Sequence, residues 1–135
     1  MTTRFAFAGV EMDRITLAEA IDAVVTLVRR GRGGYVFTPN ADHIVRVQTD
    51  TRLKRAYRHA SLSLCDGQPV VWASHLLGPA LPERVAGSDL FGPLMARAAA
   101  EGLRVFFFGS SPDASREAER RLRAAHPSLQ VVGRD

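Results

Sequence analysis

Short apolar runs alternate with amphipathic stretches along the chain, and this alternation predicts strands and helices in turn. Strands are predicted at residues 5–10, 34–38, 62–65, 104–109 and 129–133. Helices are predicted at residues 16–31, 41–60 with a break near Thr49, 68–77, 88–101 and 111–125. Apolar strands that alternate with amphipathic helices favour a parallel sheet covered by helices on both faces, so the predicted class is α/β.

Several helix starts have a recognisable capping signal. Thr16 and Glu19 form a T-x-x-E capping box, and Gly31 suits the end of the same helix. Ser88 and Ser111 are likewise predicted to cap the helices that follow them. The run at residues 104–109 is strongly apolar and predicts a buried strand.

Length and composition predict a single domain over residues 1–135, because 135 residues with 46% hydrophobic content can form one core. The sequence has no apolar run long enough to span a bilayer and no recognisable secretory leader, so we expect a cytoplasmic protein. Cys65 is the only cysteine, which excludes an internal disulfide and fits a reducing compartment.

Charge and motif content narrow the class of function. The formal net charge is +4, with arginine at all but one basic position, which indicates a solvated surface or attraction to phosphates and anionic lipid. A nucleic-acid-binding domain is disfavoured because aromatic and basic residues do not interleave. No Asp-x-Asp pair occurs, and the histidines lack ligand spacing with Cys65, so no metal site is predicted.

Polar or glycine residues stand where three predicted strands end: Thr38, Asp66 and Gly109. The carboxyl ends of parallel strands form the usual ligand crevice of an α/β sheet. Asp66, in the segment CDGQPV, can cap the next helix or take a proton from an attacking hydroxyl. The residues alone leave both interpretations open.

Two further loops carry candidate binding residues. In TPNADH, Asn40 can cap the following helix, or Thr38 and Asn40 can hold sugar hydroxyls. In LPERVAGSD, Arg84 precedes a helix start and can pair with a diphosphate. Alternatively, Glu83 or Asp89 can pair with Arg84 as a structural clasp of the loop.

The segment FFFGSSPDAS runs from a predicted strand through small residues into a helix start. Such a loop can cradle a nucleotide through Gly109 and Ser110, although a cap at Ser111 explains the pattern almost as well. It matches neither the P-loop pattern nor G-x-G-x-x-G.

The segments TPNADHIV, CDGQPVVWAS, LLGPALPERVAGSDLF and VFFFGSSPDAS, in this order, resemble the WecG/TagA/CpsF family of bacterial glycosyltransferases. The resemblance implies a Rossmann-like parallel sheet flanked by helices. It implies transfer of a sugar from a UDP-sugar to an undecaprenyl-diphosphate-linked acceptor in cell-surface or exopolysaccharide biosynthesis. N-acetylmannosamine, its uronic acid, glucose and glucuronic acid are donor types of the family, and the reaction inverts the anomeric centre with no metal or other cofactor.

By position, the resemblance makes Asp66 the general base, Thr38 and Asn40 pocket residues, and Arg84 the arginine near the diphosphate. The resemblance also implies that the loop with Gly109 and Ser110 binds the nucleotide of the donor.

The family domain continues beyond residue 133, so we expect this chain to be incomplete relative to it. The alternative function is therefore a non-catalytic nucleotide- or phosphosugar-binding module. The expected partners are the UDP-sugar and the lipid-linked acceptor, with no nucleic acid. Peripheral contact with the inner face of the plasma membrane and a homo-oligomer are both compatible with this expectation.

Overall fold

A computed structural model describes residues 3–135, which form helices and short strands of the predicted mixed α/β class. The strands are β1 (Arg4–Phe7), β2 (Val10–Asp13), β3 (Val36–Phe37), β4 (Leu62–Ser63), β5 (Arg104–Phe107) and β6 (Gln130–Arg134). The helices are α1 (Leu17–Arg30), α2 (Ala41–Val47), α3 (Thr51–His59), α4 (Gln68–Leu77), α5 (Gly87–Ala100) and α6 (Pro112–Ala125). The chain divides into two compact units, one up to Leu90 and one from Phe91 onward.

The strands within residues 3–135 form three sheets of two strands each. β3–β4 and β5–β6 pair in parallel, as the alternation of elements predicted. β1–β2 pairs in the antiparallel sense, which was not predicted. A mixed α/β class is therefore confirmed. A Rossmann-like continuous sheet is not shown, because each sheet in residues 3–135 has two strands.

The strand predicted at residues 5–10 is wrong in its second half, because the chain turns back at Ala8 and Gly9. Both residues have positive φ, 47° and 83°, as a tight hairpin turn requires at its two central positions. Phe7 pairs with Val10 across this turn. The Ala-Gly pair is a weaker hairpin signal than Asn-Gly, and β2 was missed for that reason.

Local signals located most helix ends correctly. The Thr16 hydroxyl accepts from the Glu19 N–H at 3.3 Å, the Glu19 carboxylate accepts from the Thr16 N–H at 2.7 Å, and the capping box is confirmed. The break near Thr49 is confirmed between α2 and α3. The predicted cap at Ser88 is wrong, because α5 already begins at Gly87. None of the helices within residues 3–135 is both long and apolar enough to cross a bilayer.

The capping box makes a stability prediction. We expect Thr16→Ala to lower the free energy of unfolding by about 1 kcal/mol, because an N–H at the start of α1 loses its acceptor. Urea unfolding followed by circular dichroism measures the change. Thr26→Ala is the matched control, since the Thr26 hydroxyl only donates to the Asp22 carbonyl inside the helix, at 2.8 Å. Equal losses of stability in both variants would contradict the assignment of Thr16 as the cap that stabilises α1.

The core of the first unit lies under the β1–β2 hairpin and around β4. The buried apolar side chains of this cluster are Phe5, Val10, Met12, Ile44, Val47, Tyr57, Cys65, Val70, Val71 and Leu81. A charged residue, Asp13, is also buried at the end of β2. Its carboxylate accepts from the Arg4 Nε at 2.9 Å and from the Ser63 N–H at 2.8 Å. This carboxylate therefore ties the hairpin to β4, a role that nothing in the sequence pattern indicated.

In the second unit, β5 and β6 pack one face only, and the residues of that face are half-buried. Val105 packs with Leu103, Leu122 and Val131 against a small core, whereas Phe106 and Phe108 are 56% and 84% exposed. The prediction that residues 104–109 form a buried strand is therefore wrong, because one face is exposed and the other is only half-buried. Alternate side chains of a strand point to opposite sides of the sheet, so an unbroken apolar run does not by itself show that both sides are covered.

Candidate functional site

The loops that follow β3 and β4 lie side by side in the first unit. The backbone N–H of Leu64 donates to the Phe37 carbonyl at 2.8 Å, and the N–H of Asp66 donates to the Pro39 carbonyl at 2.9 Å. The parallel pairing thus continues past the end of the short strands. As a result, the structure brings the loop with Thr38 and Asn40 next to the loop with Asp66.

Asp66 does not cap α4. The N-cap residue of this helix is Gly67, and no side chain accepts a hydrogen bond there, so the capping interpretation of Asp66 is wrong. The Asp66 side chain is 27% exposed, and its Oδ1 lies 3.5 Å from Nη1 of Arg84. Its carboxylate is therefore accessible and is not committed to the fold through a helix cap.

The Arg84 loop is held against the segment that follows β4, because the N–H of the next residue, Val85, donates to the Cys65 carbonyl at 2.8 Å. The Arg84 Nη2 donates to Asp89 Oδ2 at 2.8 Å, so the clasp with Asp89 exists. Glu83 does not supply this clasp, since its carboxylate accepts from the Leu17 N–H. An exposed ion pair of this kind is worth only about 0–1 kcal/mol, so a bound anion can replace Asp89 at the guanidinium.

The N-terminus of α5 completes this edge of the first unit. A Cβ placed on Gly87 would lie 3.5 Å from the Thr38 hydroxyl oxygen, so Thr38 faces the first turn of the helix. The first N–H groups of a helix have no partner within it, and together with the helix dipole they favour anions. Sequence reasoning missed Gly87, although the helix was expected to begin only one residue later.

Asn40 is the N-cap of α2, because its Oδ1 accepts from the His43 N–H at 3.1 Å. The capping interpretation is confirmed for this residue. Within residues 3–135, its side-chain amide N–H groups have no hydrogen-bond acceptor, so they can still donate to a ligand. His43 also contacts the Tyr57 hydroxyl through Nδ1 at 3.1 Å.

Cys65 lies beside Asp66 but is buried in the core. Burial raises the pKa of the Cys65 thiol, and the nearby charge of Asp66 acts in the same direction. A neutral, buried thiol is a poor nucleophile, so Cys65 is part of the core.

Gly109 and Ser110 belong to the second unit and follow β5. Both have positive φ, 87° and 77°, so the backbone turns sharply before α6. The predicted cap at Ser111 is confirmed, since its hydroxyl accepts from the Ala114 N–H at 3.3 Å. A nucleotide-binding role for Gly109 and Ser110 stays a prediction. Among the described residues, no three or more His, Cys, Asp or Glu side chains are grouped so as to hold a metal ion.

An accessible carboxylate, an arginine and a helix N-terminus on the edge of a parallel strand pair are typical of enzymes that act on phosphorylated substrates. The model of the glycosyl transferase WecG/TagA/CpsF family matches residues 5–135, and the chain belongs to this family.

Among curated proteins, the chain is similar to the N-acetylglucosaminyldiphosphoundecaprenol N-acetyl-beta-D-mannosaminyltransferase of Bacillus spizizenii (strain ATCC 23059 / NRRL B-14472 / W23). The two are 30% identical over 108 residues, which cover 80% of this chain and 42% of that protein. The chain therefore spans less than half the length of this relative.

Proposed function

We propose that the chain carries the acceptor-activating part of an inverting, metal-independent glycosyltransferase that uses a UDP-sugar and an undecaprenyl-diphosphate-linked acceptor. The observation that carries the proposal is that three loops meet at Asp66. The Pro39–Asp66 backbone bond joins the loops after β3 and β4, and the Arg84–Asp66 contact adds the arginine loop. Family membership supports the reaction class.

In the proposed mechanism, Asp66 accepts the proton of the acceptor hydroxyl. The acceptor oxygen then attacks the anomeric carbon of the donor sugar while the bond from that carbon to the UDP oxygen breaks. A single displacement of this kind inverts the configuration at the anomeric carbon. The hydroxyl of Thr38 and the free amide N–H groups of Asn40 hold sugar hydroxyls in position, which lowers the entropic cost of the reaction.

The departing UDP carries the negative charge of its diphosphate. We assign its stabilisation to Arg84, which contacts Asp66, and to the N–H groups at the start of α5, which Thr38 faces. These groups supply the charge that a metal ion supplies in other transferases. Gly109 and Ser110 are proposed to bind the nucleotide of the donor in the same reaction.

The name of the relative supports N-acetylmannosamine as the first donor sugar to test, ahead of its uronic acid, glucose and glucuronic acid. It also supports a lipid-linked N-acetylglucosamine as acceptor, which would place the reaction at the inner face of the plasma membrane. A Rossmann-like fold in a single domain is part of this proposal, supported by the parallel pairing of β3–β4 and β5–β6. A homo-oligomer stays a prediction.

Calorimetric titration with UDP, with ADP as the control nucleotide, tests the donor side. We expect saturable, UDP-selective binding, and we expect Arg84→Ala to weaken it about tenfold, because a charge-assisted hydrogen bond to the diphosphate is lost. Arg46→Ala is the matched control, since Arg46 is an exposed arginine paired with Asp42 at 2.9 Å. Equal binding of ADP would contradict selectivity for the uridine, and unchanged UDP affinity in Arg84→Ala would remove the assignment of Arg84 to the diphosphate.

A further inference from the structure

The helices that follow the two site loops begin at the same edge of the first unit. α2 begins at Ala41, directly after Asn40, and α4 begins at Gln68, directly after Asp66 and Gly67. Because the Pro39–Asp66 backbone bond holds the two loops together, the first turns of both helices start side by side. The space between them therefore opens next to the proposed base.

This space is a groove of about 260 Å³. It is lined by Phe7, Ala41, Ile44, Val45, Pro69 and Val70. No residue of this lining is polar, and Val45 is 68% exposed although it is a large apolar residue on a short helix. Pockets for drug-sized ligands usually measure roughly 300–1,000 Å³, so this groove suits a small apolar segment of a larger molecule.

A basic surface adjoins the groove through the β1–β2 turn. A Cβ placed on Gly9 would lie 4.0 Å from the Lys54 ammonium nitrogen, and Phe7, two residues before Gly9, lines the groove. Four cations on α3 have no carboxylate partner within residues 3–135: Arg52, Lys54, Arg55 and Arg58. Lys54 is the cation that the β1–β2 turn brings close to the groove. An apolar groove with an unpaired ammonium group nearby matches a ligand with an apolar chain and an anionic head.

We propose that this groove binds the first isoprenoid units of the lipid-linked acceptor. The inference rests on the proposed function and extends it to a subsite for the lipid. The prenyl carbons next to the diphosphate lie between α2 and α4, and the basic surface of α3 attracts the diphosphate. This placement keeps the acceptor sugar, which is attached to the same diphosphate, close to Asp66.

Farnesyl diphosphate is a soluble probe with the required apolar chain and anionic head, and inorganic diphosphate is the control without the chain. In methyl-labelled protein followed by NMR, we expect farnesyl diphosphate to shift the Ile44, Val45 and Val70 methyl signals saturably. Inorganic diphosphate should leave these signals in place. Equal shifts with both compounds, or no shift with farnesyl diphosphate, would overturn the proposed subsite.

Val45→Asn should weaken farnesyl diphosphate binding about tenfold, because it removes apolar surface from the groove without adding charge. Val28→Asn is the matched control, since Val28 is 53% exposed on α1, outside this groove. Ala41→Phe, which fills the groove, should weaken binding as well. Equal losses in Val45→Asn and Val28→Asn, or none in either groove variant, would contradict the assignment.

A UDP titration of the same sample separates the two proposals. UDP binding without methyl shifts from farnesyl diphosphate would overturn the prenyl subsite and leave the proposed transferase standing. The opposite result is saturable methyl shifts that Val45→Asn weakens, without any UDP binding. It would support the groove as a prenyl site and contradict the use of a UDP-sugar donor in the proposed function.

Discussion

Replacing Asp66 by asparagine is expected to lower kcat for sugar transfer by about 100- to 10,000-fold, the usual contribution of a general base. Asparagine keeps the size of the side chain but cannot accept the proton of the acceptor hydroxyl. The fold should be retained, because Asp66 caps no helix and its side chain is partly exposed. A transfer assay with UDP-N-acetylmannosamine and a lipid-linked N-acetylglucosamine acceptor measures the effect, with circular dichroism as a check on folding.

Asp89→Asn is the matched control for this experiment. Asp89 also contacts Arg84, at 2.8 Å, so the variant removes a carboxylate from the same arginine without removing the proposed base. We expect it to retain kcat and to change mainly the KM of the donor. Near wild-type turnover in Asp66→Asn would show that the base assignment is wrong. UDP binding by the wild-type chain without any transfer would favour the alternative, a non-catalytic nucleotide- or phosphosugar-binding module.

Asp13→Ala is expected to lower the free energy of unfolding by about 3 kcal/mol, because the Arg4 Nε–H and the buried Ser63 N–H both lose the carboxylate that accepts from them. Asp13 is only 5% exposed, so water cannot replace the carboxylate without opening the hairpin. Urea unfolding monitored by circular dichroism measures this change.

Glu11→Ala is the control for Asp13. Glu11 also approaches Arg4, but at 3.8 Å and with its side chain 61% exposed, so we expect a loss of at most about 1 kcal/mol. If the two variants lost equal stability, the buried carboxylate would not be the element that anchors the hairpin. A loss confined to Asp13→Ala would show that the contact of Asp13 with β4 stabilises the fold.

Structural features that depend on a few neighbouring residues were predicted correctly. Thr16 and Glu19 are three positions apart, and their capping box is present. Asp50 caps α3 and ends the break predicted near Thr49. The hairpin at Ala8 was missed because an alanine at positive φ is held there by its surroundings, and no local preference of alanine indicates it.

The candidate site was predicted in part. The positions of Thr38 and Asp66 at strand ends followed from the apolar pattern, since a polar residue after a buried run marks where a strand ends. The capping alternatives could not be decided locally, because aspartate and asparagine have similar capping preferences. In the structure, Asn40 caps α2, whereas Asp66 caps no helix because the N-cap residue of α4 is the next one, Gly67.

The sequence by itself determined the alternation of elements, most helix ends and the identity of the polar residues at the strand ends, because each depends on interactions within a few residues. Tertiary structure decided which distant groups meet: Arg84 reaches Asp66 across 18 residues, and Ser63 reaches Asp13 across 50. It also decided that Phe106 is exposed, since burial of a strand face depends on what packs against it. Such contacts require chain segments that are far apart in sequence to pack together, and no local preference encodes that packing.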